Sequence, residues 1–136
     1  MIQIRKQAIS QMLAHARMDA PIEACGYLAE KDGIVVSIFP MKNVDFSPVH
    51  FSFDVTEQFA TARLIRAQGL KLRGIYHSHP TSPAMPSQED LRLSFDPELS
   101  YVIISLLAQK GDVKSFVIKN KENEEETVEI IDGETK

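Results

Sequence analysis

The mixture of hairpin signals and helix-length connections is the feature that most constrains the fold of this 136-residue chain. Two pairs of apolar, strand-like runs are joined by short turn signals, Asp32-Gly33 in the first pair and Gly111-Asp112 in the second. Longer stretches with helical spacing separate other strand-like runs, and such stretches join strands by crossovers. A chain with both kinds of connection predicts an α/β (α+β) fold, in which helices flank a mixed β-sheet.

Apolar spacing and turn residues predict the individual elements. Helices are expected over 4–18, 55–68 and 87–94, the second beginning with a capping box at Asp54 and Glu57. Strands are expected over 23–30, 34–39, 49–53, 71–79, 100–107 and 113–119, with a final edge strand over 127–131. The acidic stretch 122–126 is expected to be a solvated turn or a frayed segment, and Phe51, Phe53 and Phe59 are expected in the core. With 43% hydrophobic residues and no visible linker, residues 1–136 are predicted to form one domain.

Charge and cysteine content narrow the classes of partner. The chain has a net charge of −4, and residues 121–136 alone carry −5, from seven acidic and two basic groups, so the rest is about neutral. Nucleic acid is therefore not an expected partner. No run is long and apolar enough for a membrane span and no secretory signal is visible, so a cytoplasmic protein without a membrane partner is expected. The single cysteine, Cys25, excludes an internal disulfide and a zinc site built on paired cysteines.

A candidate metal site lies at the end of the strand predicted over 71–79. His77 and His79 are two residues apart, so their side chains leave the same face of that strand. Ser87 and Asp90 follow at the spacing His-x-His-x7-Ser-x2-Asp. Two imidazoles and a carboxylate form a three-ligand set typical of catalytic zinc, which keeps a fourth position for water.

Ser87 and Asp90 have a second interpretation, because Ser-x-x-Asp before apolar residues is also an ordinary helix start. The two interpretations are compatible, since a carboxylate in the first turn of a helix can meet histidines that arrive from a strand. Prolines at 80, 83 and 86 stiffen the connection, because each ring fixes its own φ angle.

This spacing resembles the motif of the JAMM, or MPN-plus, family of metalloproteases, in which a glutamate well upstream precedes His-x-His-x7-Ser-x2-Asp. The upstream residue here is Glu23, in the run PIEACGYL, and the similarity extends from the first helix to about Ile118. The resemblance implies the α/β sandwich shared with cytidine deaminases and one zinc ion per chain. It also implies that zinc is bound by His77, His79 and Asp90, that Glu23 acts on the water, and that Ser87 assists the oxyanion.

The same resemblance implies a zinc metallopeptidase or isopeptidase that cuts an amide bond at the Gly-Gly C-terminus of a ubiquitin-like or sulfur-carrier protein. Strand addition at an edge strand beside the metal site is the expected mode of binding for such a tail. The alternative is a non-catalytic scaffold or binding module of the MPN type. Such proteins typically lack the metal ligands, whereas all five motif positions are present here.

Overall fold

The structure is a computed structural model that describes residues 1–94 and 96–132. Within these residues the helices are α1 (Lys6–Asp19), α2 (Val55–Ala67) and α3 (Gln88–Arg92). The strands in the first half of the chain are β1 (Ile2–Arg5), β2 (Cys25–Lys31), β3 (Ile34–Met41) and β4 (Lys71–His79). Those in the second half are β5 (Ser100–Ser105), β6 (Asp112–Lys119), β7 (Glu122–Glu126) and β8 (Val128–Ile131). No helix among the described residues has the length and apolar character needed to cross a membrane.

All of these strands join one sheet in the order β7-β6-β5-β4-β2-β3-β1-β8. The sheet is mixed, since β4 pairs antiparallel with β2 and parallel with β5. The predicted mixed sheet with flanking helices is therefore confirmed, as is the edge strand β8, which pairs with β1. The expectation of an edge strand beside the metal site is wrong, because β4, which carries both histidines, has a neighbour on each side.

The predicted opening helix is wrong in its first two residues, 4 and 5, which belong to a strand. Ile2 and Ile4 are fully buried in β1, which runs parallel to both β3 and β8, and α1 starts only at Lys6. An isoleucine every second residue fits a short strand, whereas Ile4 also fits the apolar spacing of the following helix. The long-range pairing with β3 and β8 decides between the two, and local spacing cannot reveal it.

Two other predicted elements are also corrected. Residues 49–53 form no strand, although apolar residues alternate there. Their backbone is held by a side chain, since Asn43 Nδ2 donates to His50 O (3.0 Å) and Asn43 Oδ1 accepts from Ser52 N (3.2 Å). The acidic stretch 122–126 is not a turn but β7, which pairs along its length with β6. Its charges lie on an outer strand, where they discourage pairing with another chain.

The sheet has two buried faces, and the side chains of β4 and β5 alternate between them. Tyr76, Val102 and Ile104 pack beneath α1, whereas Ile75 and Ile103 belong to clusters on the opposite face. Because side chains on a strand alternate between its faces, His77 and His79 lie on the face opposite α1. The candidate metal site is therefore separated from the α1 core by the sheet itself.

Candidate metal centre

The three proposed ligands converge where the C-terminal end of β4 meets the first turn of α3. His77 Nε2 lies 3.1 Å from His79 Nε2, and Asp90 Oδ2 lies 3.1 Å from His77 Nε2 and 3.2 Å from His79 Nε2. Both histidines are buried, with 3% and 4% of their surface exposed. Bonds of about 2.0–2.1 Å to a tetrahedral zinc place neighbouring ligand atoms roughly 3.3 Å apart. The triangle of ligand atoms therefore fits a zinc ion.

Contacts around the histidines fix their ring orientation. His79 Nδ1 lies 2.8 Å from the carbonyl oxygen of Pro83, to which it can donate, and this tautomer leaves the Nε2 lone pair directed at the other two ligands. The ring of His77 is stacked on Phe51, with centroids 4.7 Å apart and an interplanar angle of 27°. The proline-rich loop and the segment containing Phe51 thus each orient one ligand.

Asp90 is held by the capping box of α3. Its Oδ2 accepts from Ser87 N (2.9 Å), and Ser87 Oγ accepts from Asp90 N (3.0 Å). Burial by itself raises the pKa of Asp90, but hydrogen bonds with His77 and His79 outweigh that effect and hold the pKa well below its usual range. The carboxylate is therefore ionised, as a metal ligand must be. Ser87 acts as the helix cap and lies beside the site, as both sequence interpretations required.

Glu23 lies just before β2 rather than inside the strand predicted over 23–30. Only 2% of its surface is exposed, and its Oε1 has no hydrogen-bond partner among the described residues. Burial raises the pKa of Glu23 to about 8, while the charge of His79 opposes the shift and that of Asp90 adds to it. Two of the proposed metal ligands thus act on the pKa of Glu23.

Two residues that sequence reasoning missed hold Glu23 in place. Ser78, between the two histidines, accepts through Oγ from Ala24 N (2.7 Å), and its own N–H donates to Ala24 O (2.9 Å). Asn43 is buried and donates through Nδ2 to the carbonyl oxygen of Glu23 (3.1 Å). An asparagine in an irregular stretch is a typical Asx-turn residue, but nothing local in the sequence indicates that it bonds to a residue 20 positions away.

A cavity of about 490 Å³ adjoins the ligands, with His77 and Asp90 in its lining. Tyr27, Phe51 and Phe53 form one wall, in which neighbouring rings meet edge to face at 5.3 and 5.5 Å. The prediction that three phenylalanines lie in the core holds only for Phe53, which is half-buried against the core cluster containing Tyr27 and also lines this cavity. Phe51 is half-buried in the cavity lining, and Phe59 is 68% exposed.

The single cysteine of the chain is not in a position to react. Cys25 is fully buried, and burial raises the pKa of its thiol to about 12, with the charge of Glu57 adding to the shift. A thiol in this state is not nucleophilic at neutral pH. It matches the interpretation of a lone cysteine as a small buried hydrophobic residue.

Over residues 5–119 the chain matches the family described as prokaryotic homologs of the JAB domain. The chain belongs to this prokaryotic JAB-domain family. The membership confirms the predicted resemblance, and the matched residues end one position beyond Ile118, to which the similarity was expected to extend.

Two curated relatives resemble this JAB-domain protein over most of its length. A protein of Mycobacterium tuberculosis named CysO-cysteine peptidase is 33% identical over 132 residues, which cover 95% of this chain and 90% of the relative. A protein of Haloferax volcanii named desampylase is 33% identical over 111 residues, which cover 76% of this chain and 80% of the relative.

Solved structures share the fold. A protein from Desulfitobacterium hafniense is 48% identical, with a TM-score of 0.87 over 99% of this chain and 94% of its own. A JAB1/MPN domain protein from Archaeoglobus fulgidus is 20% identical, with a TM-score of 0.63 over 96% of this chain and 97% of its own. The eight-stranded sheet described above is therefore that of a JAB1/MPN domain.

Proposed function

We propose that this JAB-domain protein is a zinc-dependent peptidase or isopeptidase of the JAMM type that acts at the Gly-Gly end of a ubiquitin-like or sulfur-carrier protein. The observation that carries the proposal is the triangle of His77, His79 and Asp90, together with the buried Glu23, whose Oε1 has no hydrogen-bond partner among the described residues. A scaffold of the same fold has no need of three converging ligands, or of a buried glutamate with one carboxyl oxygen that lacks a partner among the described residues.

His77, His79 and Asp90 would hold one zinc ion, since two neutral imidazoles and one carboxylate are a catalytic zinc set. When bound, zinc supplies Lewis-acid activation of the scissile carbonyl and of the attacking water. Two further contacts would keep these ligands oriented toward the ion, because Pro83 O lies against His79 Nδ1 and Ser87 N donates to Asp90 Oδ2.

Glu23 would serve as the general base and acid of the reaction. A carboxyl with its pKa raised to about 8 holds a proton readily near neutral pH and also returns it readily. It would take a proton from the attacking water and deliver it to the nitrogen of the leaving amine. Two hydrogen bonds fix the backbone of Glu23 and so position its side chain. The backbone N–H donates to Ser47 O (2.9 Å), and the carbonyl oxygen accepts from Asn43 Nδ2 (3.1 Å).

Ser87 would donate to the oxyanion of the tetrahedral intermediate. Its Oγ already accepts from Asp90 N, which leaves the hydroxyl hydrogen for a different acceptor. Donors of this kind contribute roughly 3–4 kcal/mol of transition-state stabilisation in other hydrolases.

The substrate class rests on the names of the relatives, one a CysO-cysteine peptidase and one a desampylase. Glycines next to the cut suit a metal centre that lies in the middle of a sheet, because a β-carbon there would crowd the approach. We propose that the activity is cytoplasmic, as the sequence analysis expects.

The test is incubation of zinc-loaded protein with a ubiquitin-like carrier that ends in Gly-Gly-X, read by intact mass. Loss of X from the carrier is expected with wild-type protein, and we expect none after chelation. Glu23→Gln should retain about one zinc per chain by elemental analysis and yet release no X. His77→Ala should lose both the metal and the activity.

The scaffold alternative predicts a different result. A full equivalent of zinc in wild type with no release of X from any carrier would favour it. Near-normal turnover in Glu23→Gln would overturn the mechanism while leaving the metal site intact.

A further inference from the structure

The cavity beside the metal centre has apolar walls and a floor formed by the sheet. Residues of three adjacent strands contribute to the floor, among them Ile75 on β4, Ile103 on β5 and Ile118 on β6. The aromatic wall of Tyr27, Phe51 and Phe53 closes one side, and Leu93 at the end of α3 lies at the rim. At about 490 Å³ the cavity falls within the range of roughly 300–1,000 Å³ that is usual for sites binding small ligands. It is large enough for a bulky amino-acid side chain.

Acidic side chains outnumber basic ones in the described lining of this cavity. Glu89, Asp90 and Asp96 lie in its lining together with His50 and His77, and the described lining residues include no lysine or arginine. His50 is itself engaged with Asp45, at 3.0 Å between Nδ1 and Oδ2. Away from the proposed zinc ion, an acidic side chain in the cavity would therefore lose its hydration and meet carboxyl groups, with no lysine or arginine among the described lining residues to pair with it.

Position relative to the metal ligands decides which part of a substrate reaches the cavity. His77 and Asp90 are both in its lining, so the cavity opens directly beside the scissile bond. In a substrate that ends in Gly-Gly-X, the two residues on the acyl side of the cut have no side chains. The side chain of X, on the released side of the cut, is therefore the side chain nearest to the scissile bond that could enter the cavity.

We infer that the cavity is the recognition site for a large apolar side chain on the residue released from the Gly-Gly end. The inference rests on the proposed function and extends it, because it names the class of the released residue. Leucine, methionine and phenylalanine side chains fit the apolar walls, alanine leaves most of the cavity empty, and aspartate faces the carboxyls of its rim.

The first test is competition among three carriers that are identical except for X, which is Leu, Ala or Asp. Apolar pockets discriminate by about 10- to 200-fold for a small change in side-chain size, so we expect release of Leu at least tenfold faster than release of Ala. Release of Asp should be slower again. Rates measured in one mixture with one enzyme preparation give a ratio that does not depend on the fraction of folded protein.

The second test changes the cavity. Leu93→Trp adds bulk at its rim and should reduce the Leu-to-Ala ratio severalfold, and Leu99→Trp, at a half-buried lining residue, should do the same. Leu107→Trp is the matched control, because Leu107 is 61% exposed and lies outside the lining. That variant should keep the wild-type ratio.

Binding to zinc-loaded Glu23→Gln protein, measured by calorimetry with Gly-Gly-X peptides, separates this inference from the proposed function. Preferential binding of the Leu peptide, with no turnover of any carrier by wild-type protein, would support the assignment of the cavity and contradict the proposed reaction. Turnover with equal rates for the three carriers, or binding with no preference among the peptides, overturns the cavity assignment. An unchanged Leu-to-Ala ratio in both Leu93→Trp and Leu99→Trp overturns it as well.

Discussion

Glu23 shows at the scale of one residue how the site departs from what stability alone would favour. A buried polar atom without a hydrogen-bond partner costs about 1–3 kcal/mol, and Glu23 Oε1 is such an atom within the described residues. A raised pKa at a buried carboxyl beside specific charged partners is typical of a functional group. The cost of burying this carboxyl has a use only if the side chain takes part in the chemistry.

Glu23→Gln is expected to change how the stability of the metal-free protein depends on pH. The unfolded carboxyl ionises near its ordinary pKa of 4.5, whereas the folded one keeps its proton up to about 8. Wild-type stability should therefore fall as the pH rises from about 4.5 to 8, by an amount on the order of 4 kcal/mol, and then level off. The glutamine variant has no proton to lose at this position, so its advantage over wild type should grow across that interval.

Urea unfolding in the presence of a chelator, at several pH values from 4 to 9, measures this difference. Glu98→Gln is the control, because Glu98 is an exposed glutamate that lies outside the proposed site. Parallel pH profiles for wild type and Glu23→Gln would show that Glu23 is not held protonated by burial.

At the scale of the element, α3 is a five-residue helix that depends on its cap. An isolated helix of this length is not stable in water, so the capping box and the contacts of Asp90 define its first turn. Ser87 therefore has two roles, since its oxygen caps the helix that carries Asp90 and its hydroxyl hydrogen is proposed to donate to the oxyanion. A single substitution by alanine removes both.

Three substitutions at Ser87 separate the cap from the hydroxyl. Ser87→Thr keeps both and should retain most of the activity, whereas Ser87→Asn keeps a capping oxygen and should retain the metal while losing roughly 10²–10³ in rate. Ser87→Ala should lose a similar factor in rate and also about 1 kcal/mol of stability. Asp54→Ala is the control, because it removes the cap of α2, where Asp54 Oδ2 accepts from Glu57 N (2.9 Å), and should cost stability without a comparable loss of rate. Equal rates in the Thr and Asn variants would remove Ser87 from the proposed chemistry.

Elements whose signals are local could be predicted, and those that depend on distant pairing could not. β4 was predicted with the bounds that the structure has, because the segment lies between two residues that interrupt regular structure, Gly69 and Pro80. The hairpin of β2 and β3 followed in the same way from Asp32-Gly33, both of which have positive φ angles. β7 has an acidic composition that disfavours a strand, and only its ladder with β6 makes it one.

The same distinction applies to the candidate site. The spacing of the three proposed ligands, with Ser87, is contained in one short segment, so its sequence was sufficient to predict that they meet. Phe51 stacks on His77 from a loop that local alternation had indicated to be a strand. The cavity wall was missed for that reason, since its shape depends on how Asn43 holds the loop.

At the scale of the whole molecule, Glu126 links distant parts of the sheet. Its Oε2 accepts from Ser100 Oγ (2.6 Å) and Ser115 Oγ (2.7 Å), and its Oε1 lies 3.5 Å from the amino group of Met1 and 4.0 Å from Arg73 Nη2. Burial raises the pKa of Glu126, but the two hydroxyl donors and the nearby positive charges outweigh it, and the net pKa is lowered. Arg73 is near the start of β4, whereas the histidines are at its end, so this network and the metal centre occupy opposite ends of the same strand.

Glu126→Gln is therefore expected to lower stability without loss of metal. At pH 7 the loss should be about 1–3 kcal/mol, because the half-buried, charged acceptor of two hydroxyl donors is replaced by a neutral amide. The folded pKa of Glu126 is lowered below the ordinary 4.5, so its contribution is present above that value and disappears as the pH falls through the folded pKa. The difference between wild type and variant in urea unfolding should thus shrink below about pH 4.

Glu124→Gln on the same strand is the matched control, because Glu124 is exposed, and it should change stability by less than about 0.5 kcal/mol. Zinc content should stay near one per chain in both variants, since neither touches the ligands. A loss of zinc in Glu126→Gln would show that the two ends of β4 are not independent. A stability difference that persists unchanged at pH 3 would show that the ionised carboxylate is not the stabilising form.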